Sequence, residues 1–465
     1  MPKSGVRRAL LSCLGFFAVL FCYFLAFVAN AAWSVPRVLR HLEFACYDAR
    51  MKLARHPQPS GRVVIVDLDE KTLAEADEWP LSRAVFAEVL DRLAADGARA
   101  VGFDFALVKP ANSAAHGVGA ARDAYLREVP ASARSQPFLA RLNQLQAQQD
   151  GDARFADSLR RTPIGVLAHI FNDAGAATSG EQVPAANSAY PFIGLRGLGE
   201  IARGQAADTC LPLFAVAAGY RVGYINSAYE TDGVIRRYSM VMGAGGNFYP
   251  PLAVQVARAY LGAGQNVGVY VRGSSLALQL GSMSVPLDWA GNFLIDYIGP
   301  ARSFAYFSLA DVAKGRFVAG TFRDKAVLVG ASLPLLHDLH RTPLQRIGFP
   351  GVEVHANVVD AVLTRRTIHN GLREGLLDVL FIALLIFLLP ALLRGRTLGR
   401  ILGVSAGLLL LLAGVDLAAF EYGRMWLNAT MPALVVFVCG ATAFAFRSFR
   451  LQGQQVVAAN AAEKA

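Results

Sequence analysis

The chain has 465 residues, 54% of them hydrophobic, and 45 Lys and Arg against 35 Asp and Glu give a formal charge of +10. Its mean hydropathy of +0.36 is too high for an ordinary soluble protein, so part of it must lie in lipid. The charge does not mark a nucleic-acid binder, because the cations flank apolar runs or scatter singly, without a basic patch interleaved with aromatics.

In chain order, a basic stretch (1–8) precedes an apolar run at 9–31, near the ~20 residues that a spanning helix needs. The run ends in Ala29-Asn30-Ala31, which has the small-x-small pattern of a signal-peptidase site. It is longer than the roughly 7–15 residues of a signal h-region, so an uncleaved anchor is expected, with cleavage as the alternative. Runs at 374–393, 401–420 and 429–446 predict three more spans. Lys3, Arg7 and Arg8 precede the first span, Arg394, Arg396 and Arg400 separate the second and third, and Arg447 and Arg450 follow the fourth. Flanking cations are retained in the cytoplasm. Both termini, including the tail 447–465, are therefore expected inside, with 32–373 outside in a bacterial periplasm.

The outer segment opens on a helix, 41–53, with Leu42, Ala45, Cys46, Ala49 and Leu53 at helical spacing, broken by "HPQPSGR". "VVIVDL" predicts a strand, 83–97 an amphipathic helix ending at Gly97, and 99–107 a second strand, which together make a right-handed βαβ unit with parallel strands. Residues 109–150 read as an exposed insertion with helical pieces, and 157–171 as helix then strand. Asp232-Gly233 is a hairpin signal between alternating strands in 219–242. A helix at 250–262, short strands through 298, a buried strand in 322–332 and a last helix at 350–366 complete an α/β domain with a mixed, partly parallel sheet.

These stretches carry a family resemblance. "LEFACYDAR", "VVIVDLDEKTL…WPLSR", "DGARAVGFDFAL", "NSAYETDGVIRRY", "DYIGP", "KAVLVGAS", "HDLHRTP" and "PGVEVHANVVDAVL", followed by three close spans, resemble the CHASE type 2 extracellular sensory domain over roughly 42–446. The resemblance implies the input end of a receptor, of the kind joined to nucleotidyl cyclases or protein kinases. After the last span only "RSFRLQGQQVVAANAAEKA" remains, too short for a catalytic domain. The expectation is a non-catalytic sensor that signals to a separate cytoplasmic partner. Two alternatives are the input half of a cyclase or kinase whose enzyme lies beyond this chain, and a structural subunit of an envelope complex. Membrane lipid and a periplasmic ligand or protein are the other expected partners, a homodimer is open, and no cofactor is expected.

Several residues are candidates for contacting a ligand. Asp67, Asp69 and Asp104 fall at the carboxyl ends of neighbouring parallel strands, the edge where open α/β sheets bind ligands, and Asp338 could join them. Each could equally cap a helix or turn. Arg83 could pair with one of these aspartates. His337 and His340 could supply two metal ligands, but a zinc site needs three or four, so no metal is expected; His355, in an apolar helix pattern, reads as a core histidine. Cys46 and Cys210, the cysteines outside the spans, could form a disulfide or stay apart. In the membrane, Asp378 and Asp416 are either interfacial or coupling contacts between helices, and Arg424 could neutralise one. The tail reads as a frayed signalling helix or docking stub.

Overall fold

β-Branched side chains are stiff at χ1 and pack well on a pleated surface, and Val63-Val64-Ile65-Val66 duly forms a strand buried on both sides. The computed structural model describes residues 37–463 apart from 77–78, 112–113, 129–135, 173–185, 194–205, 273–274, 289, 335–337 and 394–395. It divides into an α/β unit, His56–Thr367, and a helical unit made of the residues before and after it. In chain order the elements that matter here are α1 (Arg37–Leu53), β1 (Val63–Leu68), α2 (Glu70–Ala74), α3 (Arg83–Ala95), β2 (Ala100–Ala106), α4 (Gly151–Arg161), β3 (Gly165–Asn172), β4 (Ala206–Asp208), β5 (Val222–Tyr224), α5 (Leu252–Leu261), β6 (Ala305–Ser308), α6 (Leu309–Ala313), β7 (Ala326–Ala331), α7 (Gly351–Thr364), α8 (Leu372–Leu393), α9 (Leu398–Gly423) and α10 (Thr430–Ala462).

Six parallel strands lie in the order β6-β1-β7-β2-β3-β5, with β4 antiparallel on the end of β3. Strand side chains alternate between faces, so Val63, Ile65 and Leu328 meet α5 and α7 in one core. Val64, Val66 and Val329 meet Phe86 and Leu90 of α3, Phe155 of α4 and Leu309 of α6 in the other. The result is a three-layer α/β/α sandwich. Each such aliphatic side chain contributes about 1.5–3 kcal/mol on burial. A four-stranded sheet (Phe192–Ile193, Val267–Arg272, Ser275–Leu280, Met283–Leu287) forms the β-rich excursion.

The hairpin expected in 219–242 is not formed. The turn is real, with Gly233 N donating to Glu230 O at 2.8 Å and Gly233 at φ 75°. Asp232 then grips Arg236 through both carboxylate oxygens at 2.9 and 2.8 Å. The chain on either side joins different sheets, β5 pairing with β3 and Arg237–Ser239 with Asn292–Leu294.

In the helical unit, Arg373–Leu393, α9 and α10 are each long and apolar enough to cross a membrane. Ile382, Leu389, Met431 and Val436 pack between them. The run 9–31 lies outside the described residues. Beyond its apolar part, α10 continues as helix to Ala462 rather than fraying.

Candidate functional site

At the carboxyl edge of the sheet the register brings Asp67 of β1 level with Gly330 of β7 and Ser308 of β6. Asp67 is 2% exposed and accepts from Ser332 N at 2.9 Å and Ser332 Oγ at 2.6 Å. Burial pushes its carboxyl above the usual range despite those bonds. The Arg302 guanidinium stands 3.7 Å from it and 5.0 Å over the Tyr306 ring. Asp69 is the N-cap of α2, its Oδ1 accepting from Thr72 N at 2.8 Å and from the hydroxyls of Thr72 and Ser308 at 2.7 and 2.8 Å.

Asp104, from β2, is more informative. Its side chain is 2% exposed, and Oδ1 lies 3.5 Å from Nε2 of His355 on α7. His355 Nδ1 meets the Tyr238 hydroxyl at 2.6 Å. Burial pulls the imidazole down, but the charge of Asp104 and its hydrogen bond leave it above its ordinary value. Asp104 Oδ2 is buried and has no partner among the described residues. A buried carboxylate oxygen without a donor is costly. Gly330 lets the two walls approach: a Cβ there would stand 3.3 Å from Asp104 Cβ and 2.6 Å from Val352 Cβ.

The first turn of α7 collects the rest of the constellation. Asp338 lies so close to Gly351 that a Cβ there would be 2.6 Å from its Cγ, and Gly351 N donates to Asp338 O at 3.0 Å. The carboxylate therefore faces the positive end of the helix dipole. Its Oδ1 is 2.9 Å from His340 Nε2, whose Nδ1 meets the Tyr229 hydroxyl at 2.8 Å. With 39% of its side chain exposed, Asp338 still offers a face to solvent. Glu353, fully buried, accepts from Arg302 N, Ser303 N and Tyr306 Oη at 2.7–2.9 Å. Burial raises its pKa. Arg302 and Tyr238 carry no signal of a site in the sequence, whereas Glu353, close in sequence to Asp338 and His355, is an acid inside the apolar pattern of 350–366 and so a readable sign of a buried polar contact.

β7 lies between β1 and β2, so Asp67 and Asp104 stand on strand ends one strand apart rather than on neighbouring ones, with Asp69 and Asp338 on adjoining turns, and Arg83 does not join them. Its guanidinium binds Asp152 of α4 at 3.2 Å and Lys109 O at 2.6 Å, over the Phe214 ring, because the first turn of α3 abuts that of α4 rather than the strand ends. The Cys46–Cys210 pairing is not made either. Both thiols are free: Cys210 is buried in the α/β core, which pushes it up to about 12, while Cys46 lies on α1 in the other unit. His337 lies outside the described residues. A separate buried histidine, His169 of β3, packs among Phe171, Tyr224 and Tyr249. Neither of its ring nitrogens has a partner among the described residues.

The helical unit holds a second polar cluster. Arg50 of α1, 3% exposed, donates to Asp416 of α9 at 2.6 Å, to Glu43 at 2.6 Å and to Leu427 O at 2.7 Å. Glu43 also accepts from Trp426 Nε1 at 2.8 Å, from Ala429 N and Thr430 N at 3.0 Å, and from Thr430 Oγ1 at 2.9 Å. A carboxylate at the N-terminus of α10 satisfies donors that the helix cannot. Asp378 accepts from Asn428 N at 3.0 Å. Arg424, expected to neutralise an intramembrane aspartate, instead donates to Arg55 O at 3.0 Å. Arg50 takes that role because α1 packs within this unit, a contact 366 residues apart in sequence.

Residues 18–393 match the CHASE2 domain; no curated protein and no solved structure matches the chain. The match covers α1, the whole α/β unit and the first of the three apolar helices. The chain therefore belongs to the CHASE2 domain family, a family of sensory domains, and carries three C-terminal helices apt for a membrane.

Proposed function

We propose that the protein is a non-catalytic transmembrane sensor whose α/β unit binds a small ligand at the strand ends and whose helices pass the signal to a separate cytoplasmic protein. The observation that carries the ligand reading is Asp104 Oδ2, which has no partner among the described residues and is buried at the sheet edge where open α/β folds bind ligands. A ligand with an amine or hydroxyl donor satisfies that oxygen, with Asp338 at the exposed side of the same constellation and Arg302 available to an anionic group. In this reading 9–31 is a fourth, N-terminal span. The cations beside the apolar runs support a bacterial inner-membrane location with both termini cytoplasmic and the α/β unit in the periplasm.

Within the helical unit Glu43 and Arg50 tie α1 to Asp416 of α9 and to the start of α10, the chain runs on in sequence from α1 to the α/β unit, and α10 extends past its apolar part. That arrangement supports a mechanical route from outer unit to tail. A ligand shifts such a route only by its differential affinity for two arrangements of it.

The test is a thermal-shift screen of the full chain in nanodiscs against amino acids, polyamines, amino sugars and polyols. A binder at 100 times its Kd should stabilise the protein by about 2.7 kcal/mol. Asp104→Asn should abolish that shift while leaving the ligand-free melting temperature within a few degrees. Unchanged melting with every compound, or a shift that survives Asp104→Asn, would remove this site from the account.

A further inference from the structure

Thirteen of the fourteen residues of α7 are buried, yet the helix carries a polar stripe. Glu353, Asn357, Asp360 and Thr364 recur at intervals of four, three and four, which puts them on one helix face. A buried polar group must find partners; Glu353, Asn357 and Asp360 are buried, Thr364 is half-buried, and all four have them. Glu353 holds the backbone of Arg302 and Ser303. Asn357 Oδ1 accepts from Ile298 N at 2.9 Å and its Nδ2 donates to Glu353 O at 2.7 Å.

Asp360, fully buried, holds both chain segments that connect the α/β unit to the rest of the molecule. Its Oδ1 accepts from Ser60 N at 3.2 Å and from the Ser60 hydroxyl, on the segment leading into β1. Its Oδ2 accepts from Arg366 Nη2 at 2.5 Å, on the segment leaving α7. Thr364 Oγ1 donates to Asp360 O at 2.6 Å and accepts from Arg366 Nε at 3.0 Å. Arg62 adds a bond to Leu363 O at 3.3 Å, and Arg366 reaches Asp296 at 3.4 Å.

We propose that Asp360 is the positioning residue through which α7 couples the strand-end constellation to both junctions of the α/β unit. Glu353 and Asp360 are seven residues apart, about 10 Å along the axis at 1.5 Å per residue. A buried helix of this kind moves as a body, so a displacement of the 298–303 loop or of the first turn of α7 reaches Ser60 and Arg366 together. The two junctions then shift in concert instead of independently. This goes beyond the sensor reading and rests on it only for the direction of signalling, since the coupling itself exists without a ligand.

The test is hydrogen exchange of the full chain in nanodiscs, read at peptides covering 56–62 and 366–369, with β1 and β7 as internal controls. Asp360→Asn should raise exchange at both junctions about tenfold and leave the control strands unchanged. Glu353→Gln, at the far end of the stripe, should raise exchange at 298–304 and also at both junctions by at least threefold. Ser60→Ala should loosen the first junction alone. If Asp360→Asn fails to fold, Arg366→Lys and Glu353→Gln carry the test. Junction exchange within twofold of wild type in Asp360→Asn or Arg366→Lys would overturn the clamp. A response to Glu353→Gln confined to 298–304 would overturn the coupling. The ligand screen can fail while these results hold, and the reverse, so the two ideas fall separately.

Discussion

Lowering the pH from 7 to 5 should cost the α/β unit about 2 kcal/mol through His169 alone. The ring is fully buried, with Phe171 edge-on at 4.9 Å between centroids, and burial holds its pKa down to about 3 against an ordinary value near 6.5. The folded value lies below the unfolded one. The stability tied to the neutral ring is therefore complete above ~6.5 and is lost as the pH falls from there toward 3. With those two values the linkage relation gives a loss of about 2 kcal/mol at pH 5. The assay is urea unfolding of the full chain in nanodiscs at pH 7, 6 and 5, comparing wild type with His169→Phe. Glu353 and His355 titrate in both proteins, so the difference between the two isolates His169. The variant should lose about 2 kcal/mol less than wild type over that range. Parallel pH profiles in the two proteins would refute a buried neutral imidazole.

His355 should act with the opposite sign: its raised pKa contributes stability below ~6.5 that fades as the pH climbs through the folded value, and Asp104→Asn should remove that acid-side gain in the same titration. Gly330→Ala should destabilise by about 1–3 kcal/mol, because its Cβ would stand 2.6 Å from that of Val352; a neutral effect in urea unfolding would show that α7 can move away. Glu43→Ala removes an acceptor shared by Trp426, Ala429 and Thr430 and leaves Arg50 with Asp416 and the carbonyls of Leu427 and Cys46. The cost should be about 3–5 kcal/mol in the helical unit, visible as early loss of the near-ultraviolet signal of Trp426 on heating. Arg83→Ala should cost about 1–3 kcal/mol by leaving Asp152 half-paired beside Ala111 N, without altering any ligand response.

What could be read in the sequence was what is local. β1, α3 and β2 follow from β-branched runs, apolar spacing and Gly97, and the apolar helices follow from hydropathy. The Asp67-x-Asp69 turn is equally local, since Asp69 caps a helix that starts one residue later. The contacts that give the polar residues their roles span long separations. Arg50 meets Asp416 across 366 positions, Arg83 meets Asp152 across 69, and Ser60 meets Asp360 across 300. A pattern of spacing carries no information about such partners, which is why the sequence allows Arg83 beside the strand-end aspartates and Arg424 beside an intramembrane one, where the structure gives them others. The hairpin at Asp232-Gly233 misled for a related reason: turn chemistry fixes the turn, whereas strand partners depend on which sheet has a free edge. The stripe on α7 lay between these cases, with its spacing visible and its partners hidden.

The central question is whether the strand-end constellation and the two junctions belong to one responsive unit. The direct measurement is hydrogen exchange of the full chain in nanodiscs with and without the strongest binder from the amine and polyol panel. Protection at 104–107, 329–332 and 351–357, accompanied by altered exchange at 56–62 and 366–369 and absent in Asp104→Asn, is the expected result. Protection confined to the strand ends with unchanged junctions, or a response that persists in Asp104→Asn, would contradict it.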